Sequence, residues 1–132
     1  MAAAALRLEI ATRILVVDDE DQVCDLVNDI LEDAGFEVHC VQSDRGAYAA
    51  LAGVIRYSAL VVDVNLGPGT TGFDVARFAR QLRPTLPVIY VSGDSSEVSF
   101  RAFGVPGSAF VLKPFAPGDL VGAVRRLTDD EA

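Results

Sequence analysis

No tryptophan, one methionine, one histidine and two cysteines occur in the 132 residues, and each scarcity removes a class of function. Cys24 and Cys40 lack the paired spacing of a zinc or redox motif, so no disulfide framework is expected. Both fall in apolar patterns and read as small buried hydrophobes in a reducing cytoplasm. His39 alone cannot supply a histidine metal set, and it reads as a surface or edge residue. No apolar run approaches the roughly 18–20 residues of a membrane span, so no membrane insertion is expected. Residues 1–6 are too short and too weakly apolar for a secretory core, and the charges of Arg7 and Glu9 keep the run from extending. Residues 1–12 are therefore expected to form a flexible leader. Basic residues are scarce as well: 11 Lys and Arg face 19 Asp and Glu, a formal charge of −8 at pH 7. Such a surface repels phosphate backbones, which argues against direct nucleic-acid binding while leaving room for a cation site.

What is present is a chain of single-domain length, 51% hydrophobic, with its apolar residues in short regular runs. Arg13-Ile14-Leu15-Val16-Val17 has the continuous β-branched character of a strand buried on both faces of a parallel sheet. Similar runs at residues 36–41, 59–63, 87–92 and 109–113 predict four more strands, the last stopped by Pro114. Between them lie helical patterns. Val23, Leu26, Val27, Ile30, Leu31 and Ala34 recur with a period near 3.6, and Gly35 ends that helix. Ser43 or Asp44 can cap a second helix, while Val75, Phe78, Ala79 and Leu82 stripe a third. A fourth, at 95–103, has a thin apolar face; a fifth carries Leu120, Val121, Val124 and Leu127, with Arg125 and Arg126 at its negative end. This alternation predicts an α/β fold, a doubly wound parallel sheet of five strands with helices on both faces. Only residues 129–132 remain after it, an acidic tail, so output is expected to be by contact with a partner protein.

In such sheets chemistry gathers outside the carboxyl ends of the strands. Strand one ends in Asp18 and Asp19, strand three in Asp63, strand four in Ser92 and strand five in Lys113. Any one of these is ordinary; their joint placement at four strand ends is not. Three carboxylates held close together repel unless a cation sits among them, and a hard ion such as Mg2+ takes oxygen ligands of this kind. Because Mg2+ usually completes its shell with waters and phosphate oxygens, phosphoryl chemistry is the expectation. Phosphoryl transfer needs positioning and charge stabilisation around three oxygens. Asp63 would be the nucleophile, the metal held by Asp18 and Asp19 would neutralise one oxygen, Lys113 a second, and Ser92 would donate to a third.

These residues resemble the receiver domain of two-component response regulators, in the single-domain form of the bacterial chemotaxis regulators. The resemblance covers residues 13–128. It rests on Ile14-Leu15-Val16-Val17-Asp18-Asp19-Glu20, on Val61-Val62-Asp63, on Val91-Ser92-Gly93 and on residues 107–115, which contain Lys113-Pro114-Phe115. It implies a flavodoxin-like (βα)5 fold with strand order 2-1-3-4-5 and phosphorylation at Asp63. It also implies Mg2+ bound by Asp19, Asp63, the backbone carbonyl of Asn65 and, through water, Asp18. Lys113 would pair with Asp63, the Lys113-Pro114 bond would be cis, and Ser92 and Phe110 would form a switch pair. Asn65 and Asp94 would flank the attacking water and tune hydrolysis. With no phosphohistidine motif in the chain, the donor is expected to be a separate histidine kinase, a histidine phosphotransfer protein or a small acyl phosphate. The signal would leave through the fourth helix, fifth strand and fifth helix, from a monomer or a weak phosphorylation-dependent dimer. The protein catalyses nothing beyond its own phosphorylation and dephosphorylation on this reading.

Two departures stand out. Phe110 has no hydroxyl, so its rotation must be reported by packing alone. The loop at 66–72 is longer and richer in glycine than the commoner pattern, which permits φ > 0 and close approach to the site. Rival readings fit less well. A haloacid dehalogenase wants Asp-x-Asp after its first strand, a flavodoxin's first loop must cradle a phosphate that Asp18-Asp19-Glu20-Asp21 would oppose, and a receiver that signals without phosphorylation would not need Asp63, Ser92 and Lys113 together.

Overall fold

The computed structural model describes residues 12–93 and 96–128. The expected acidic tail, Asp94 and all of the expected leader except Thr12 lie outside them. Ten elements alternate strictly: β1 (Arg13–Val17), α1 (Asp21–Asp33), β2 (Glu37–Val41), α2 (Asp44–Ala52), β3 (Ala59–Asp63), α3 (Gly72–Leu82), β4 (Val88–Ser92), α4 (Ser96–Phe103), β5 (Ala109–Leu112) and α5 (Pro117–Thr128). Local chemistry sets the helix ends. Ser43 caps α2 by accepting from the Gly46 N–H at 3.0 Å. Thr71 caps α3 in a reciprocal box with Asp74, and each side chain accepts from the other's backbone N–H. Gly35 leaves α1 at φ 99°, a left-handed conformation that costs a glycine little.

The sheet order is β2-β1-β3-β4-β5, with every neighbouring pair parallel. The chain steps outward from β1 to β2 and then crosses back to β3, so strand order reverses between β1 and β3. Their carboxyl ends carry Asp18 and Asp63, and the reversal opens a crevice there. Because strands alternate faces, Ile14, Val16, Val61, Ile89 and Val91 meet α1 and α5, while Leu15, Val17, Leu60, Val62, Val88 and Tyr90 meet the other helices. Burying one such aliphatic side chain is worth about 2 kcal/mol, so β3 and β4, buried along their whole length, anchor the rim of the sheet.

Four sequence expectations need correction. Leu26 is half exposed, and the inward stripe of α1 is Cys24, Val27 and Leu31. At 100° per residue Leu26 points well away from that line, and its apolar neighbours in the sequence conceal the phase. Leu82 likewise lies 49% exposed at the end of α3, where the helix runs past the edge of the core. The cysteines are joined: Cys24 and Cys40 form a disulfide, with Cα atoms 6.0 Å apart. Sixteen residues separate them, so spacing gives no sign of it. The β1-α1-β2 crossover returns the chain beside its own helix, which brings the first turn of α1 over the end of β2. Thr12, expected to close the leader, accepts from the Glu37 N–H at 2.9 Å and so joins the sheet. His39 is exposed on the edge strand β2, its Nδ1 2.6 Å from the Tyr57 hydroxyl. No helix among the described residues is long and apolar enough to cross a membrane.

Candidate functional site

Among the described residues the buried polar or charged side chains are Asp18, Asp63 and Ser92, at 3%, 6% and 1% exposure. All three stand at the carboxyl ends of strands, β1, β3 and β4. Lys113, the only lysine of the chain, follows β5 and completes the group. Its Nζ donates to Asp18 Oδ2 at 3.1 Å and to Asp63 Oδ2 at 3.0 Å. The remaining carboxylate oxygens are held by backbone: Asp18 Oδ1 accepts from the Glu20 N–H and Asp63 Oδ1 from the Asn65 N–H, each at 3.0 Å. The Lys113 N–H in turn donates to the Ser92 carbonyl at 2.8 Å, which ties the end of β4 to the segment after β5. The Lys113-Pro114 peptide bond is cis.

Burial and charge compete here. Burial raises the pKa of Asp18, and the charge of Asp63 adds to that; the Glu20 N–H and the Lys113 ammonium pull it down without cancelling the rise. Burial by itself would lower the pKa of Lys113, but the hydrogen bond and charge of Asp63, reinforced by Asp18, outweigh it and leave it raised. One ammonium thus serves two buried carboxylates. Asp19 and Glu20 stand exposed beside them, and oxygens of Asp18, Asp19 and Glu20 lie within 4.8 Å of one another. Asp19, Asp63 and Asn65 line one open cavity with Ser92 and Lys113. The donor set is entirely hard oxygen, and Asp18, Asp19 and Asp63 against one ammonium leave two formal negative charges. A divalent, oxygen-seeking cation fits that deficit. Glu20 is a further acid of the cluster, which the sequence marks only as part of the acidic run after the first strand, without a ligand role.

The loop after β3 is shaped by its glycines. Gly67 and Gly69 take φ of 116° and 82°, and an antiparallel bridge between Asn65 and Thr71 closes the turn. Gly72 makes the close approach: a Cβ there would sit 2.2 Å from the carbonyl oxygen of Asp63. Only glycine lets α3 begin directly against the backbone of Asp63, and the Gly72 N–H donates to Val64 O at 2.8 Å. The sequence signalled close approach in this loop but not which glycine makes it.

Ser92 and Phe110 occupy different settings. The Ser92 hydroxyl faces the cavity and accepts from Asn65 Nδ2 and from Ser96 Oγ, each at 3.2 Å. Phe110 is half-buried on β5, and its ring packs on Phe100 of α4 with centroids 5.4 Å apart. Ser96, on the first turn of α4, carried no sequence signal, since nothing in a run of serines says which one turns inward.

The chain has counterparts among known proteins. The family model described as response regulator receiver domain matches residues 14–125. The transcriptional regulatory protein TcrA of Mycobacterium tuberculosis is 36% identical over 118 residues, 88% of this chain and 46% of that protein. The chain spans about half the length of the first curated relatives it matches. The crystal structure of a response regulator receiver protein from Sinorhizobium medicae superposes with a TM-score of 0.87 at 33% identity, covering 92% of this chain and 98% of that one. The chemotaxis protein CheY4 of Vibrio cholerae superposes with a TM-score of 0.78 at 26% identity, covering 89% and 99%.

Proposed function

We propose, from the premise that this chain belongs to the response regulator receiver domain family, that Asp63 is the phosphoacceptor of a two-component signalling switch. Receiver domains act as signalling switches, so a phosphorylation-dependent signalling role follows from the family. The observation that carries the finer reading is the convergence on one cavity of the Asp63 carboxylate, the Lys113 ammonium 3.0 Å from it and the Ser92 hydroxyl.

A carboxylate oxygen of Asp63 attacks the donor's phosphorus in line. One O–P bond forms, and the donor's N–P bond, or the acyl O–P bond of a small donor, breaks with its electron pair remaining on the leaving group. Lys113 already rests between Asp18 and Asp63, so its charge meets the developing negative oxygens with little reorganisation. Ser92 offers a hydroxyl proton to another oxygen. Magnesium would be held by Asp19, Asp63 and the Asn65 carbonyl, with Asp18 reaching it through water, and would supply charge neutralisation. The acyl phosphate is later hydrolysed by water, which restores the Asp63 carboxylate; Asn65 and Asp94 tune that step.

The phosphodonor on this reading is a histidine kinase or a histidine phosphotransfer protein. The output surface is α4, β5 and α5, where Val98, Phe103 and Leu112 are 73%, 59% and 50% exposed, apolar side chains available to a downstream protein. Phosphorylation biases a two-state equilibrium by the contacts it adds, and its reach is limited by what those contacts are worth. A weak dimer of the phosphorylated form is compatible with the same face.

Incubation with acetyl phosphate and magnesium tests this. Intact-mass measurement is expected to find one phosphoryl group on the wild type, none on Asp63→Asn and none after chelation of the metal. As the labelled protein loses phosphate, Asn65→Ala and Asp94→Ala are expected to alter the rate. A wild-type chain that never labels, or an Asp63→Asn chain that labels as well, would end the reading.

A further inference from the structure

A serine hydroxyl has one proton and two lone pairs, and the partners of Ser92 account for the lone pairs. Asn65 Nδ2 donates to its oxygen at 3.2 Å and Ser96 Oγ donates to it at 3.2 Å. Ser92 is 1% exposed, so bulk water does not compete for those positions. With both neighbours donating, its own proton is left for an acceptor in the cavity that it borders with Asp63 and Lys113. The two donors come from different parts of the fold, Asn65 from the loop after β3 and Ser96 from the first turn of α4. Asn65 is in addition fixed by its own backbone bond to Asp63 Oδ1 at 3.0 Å. Ser96 belongs to a helix with no fully buried residue, and Ser96, Ser99 and Phe103 of that helix all border the cavity.

We infer that Ser96 is a positioning residue for the Ser92 hydroxyl. By donating to Ser92 alongside Asn65, it keeps that oxygen an acceptor toward the protein and reserves the single proton for an oxygen of the phosphoryl group on Asp63. A chain of donors running in one direction also polarises the last member, so Ser92 becomes a better donor than an isolated serine. The same bond is a mechanical link. When Ser92 moves toward the phosphoryl group it either draws the first turn of α4 with it or releases it, and either outcome delivers the chemical event to the helix at the output face. This inference rests on the phosphoacceptor role proposed for Asp63 and adds one residue to that site.

The test is a double-mutant cycle read by the rate of acetyl phosphate labelling with magnesium. Ser96→Ala is expected to slow labelling about three- to tenfold, the scale of one hydrogen bond made in the transition state. Ser96→Thr, which keeps the hydroxyl, is expected to restore it. In a Ser92→Ala background, Ser96→Ala is expected to have no further effect, because the group it positions is gone. Hydrogen exchange of the peptide spanning α4 supplies the second readout: its change on phosphorylation is expected to shrink in Ser96→Ala and to persist in Ser96→Thr. Wild-type labelling by Ser96→Ala, or an unchanged slowing on top of Ser92→Ala, would overturn the inference while leaving Asp63 as the acceptor. Failure of the wild type to label at all, with Asp63→Asn equally silent, would remove both.

Discussion

The two sides of the sheet are built from different materials. Against α1 and α5 the buried core is aliphatic throughout, with Ile14, Val16, Leu31, Ile89 and Leu120 among its members, and the Cys24–Cys40 disulfide staples α1 to β2. Against α2, α3 and α4 it mixes aliphatic side chains with aromatic rings. Tyr57, Phe73 and Tyr90 are buried, and rings run in contact from Phe110 through Phe100 and Tyr90 to Phe73 and then Phe103, with centroids 5.1–5.9 Å apart. The stapled side carries the acid loop: Cys24 Sγ lies 3.6 Å from the carbonyl oxygen of Asp18, and the Asp18 N–H donates to Val41 O, one residue beyond Cys40. The aromatic side carries α4, which buries no residue fully. Branched aliphatics interlock in few arrangements, whereas tilted rings can turn against one another at small cost. One side is therefore suited to hold the chemistry still and the other to move in response.

Three experiments put that contrast at risk. The largest effect belongs to the staple. Closing a loop of about 15 residues is worth roughly 3 kcal/mol, so reduction, or Cys40→Ser, is expected to lower the unfolding free energy by about that much in a urea titration. A non-reducing peptide map that finds both cysteines free would remove the staple from the comparison. A smaller effect is expected on the aromatic side. Phe100→Leu keeps most of the buried area but loses ring contacts to Tyr90 and Phe110, a cost of about 1 kcal/mol by the same titration. A loss as large as that of the staple would mean the two sides are equally rigid.

The smallest effect concerns the rim where the sides meet. Lys113 has a raised pKa, so its pairing contributes stability that is fully present below the ordinary lysine value and is lost as pH climbs past it. Asp18 is raised too, and for an acid the sign is the reverse of the usual one. The folded state takes up its proton more readily than the unfolded chain, so Asp18 favours folding most below 3.8 and progressively less as pH rises through its shifted value. Ionising Asp18 therefore costs stability, as expected of a group kept for chemistry. Lys113→Met is expected to reduce the alkaline loss of stability in thermal melts, leaving the part due to buried Tyr57 and Tyr90, and to raise the Asp18 pKa further in a carboxyl titration by NMR. An unchanged alkaline limb would show that Lys113 is not the group responsible.

Much of this was legible in the residues. Continuous apolar runs and period-3.6 patterns identify strands and helices because burial in a two-sided sheet or along a helix follows backbone geometry, and strict alternation leaves the parallel α/β arrangement as the natural outcome. The strand-end residues Asp18, Asp63, Ser92 and Lys113 follow from that, since a residue ending a parallel strand must emerge at the same rim. The misreadings have a common origin. Leu26 and Leu82 belong to apolar stripes on paper, yet which part of a stripe meets the core depends on where the helix axis lies over the sheet. Cys24 and Cys40 are ordinary by spacing, and Ser96 is one of several adjacent small polar residues; their partners are set by how helices dock.

Taken alone, then, the order of amino acids determined the alternating elements, the rim on which the chemistry-bearing side chains gather and the acidic character that calls for a cation. These depend on local periodicity and on charge, which act over a few residues. The tertiary fold decided the rest: that Cys24 meets Cys40, that Gly72 abuts Asp63, that one ammonium bridges two carboxylates and that Ser96 reaches Ser92. Each of those depends on distances across separate elements, and such distances exist only once the sheet has twisted and its two unlike layers have packed.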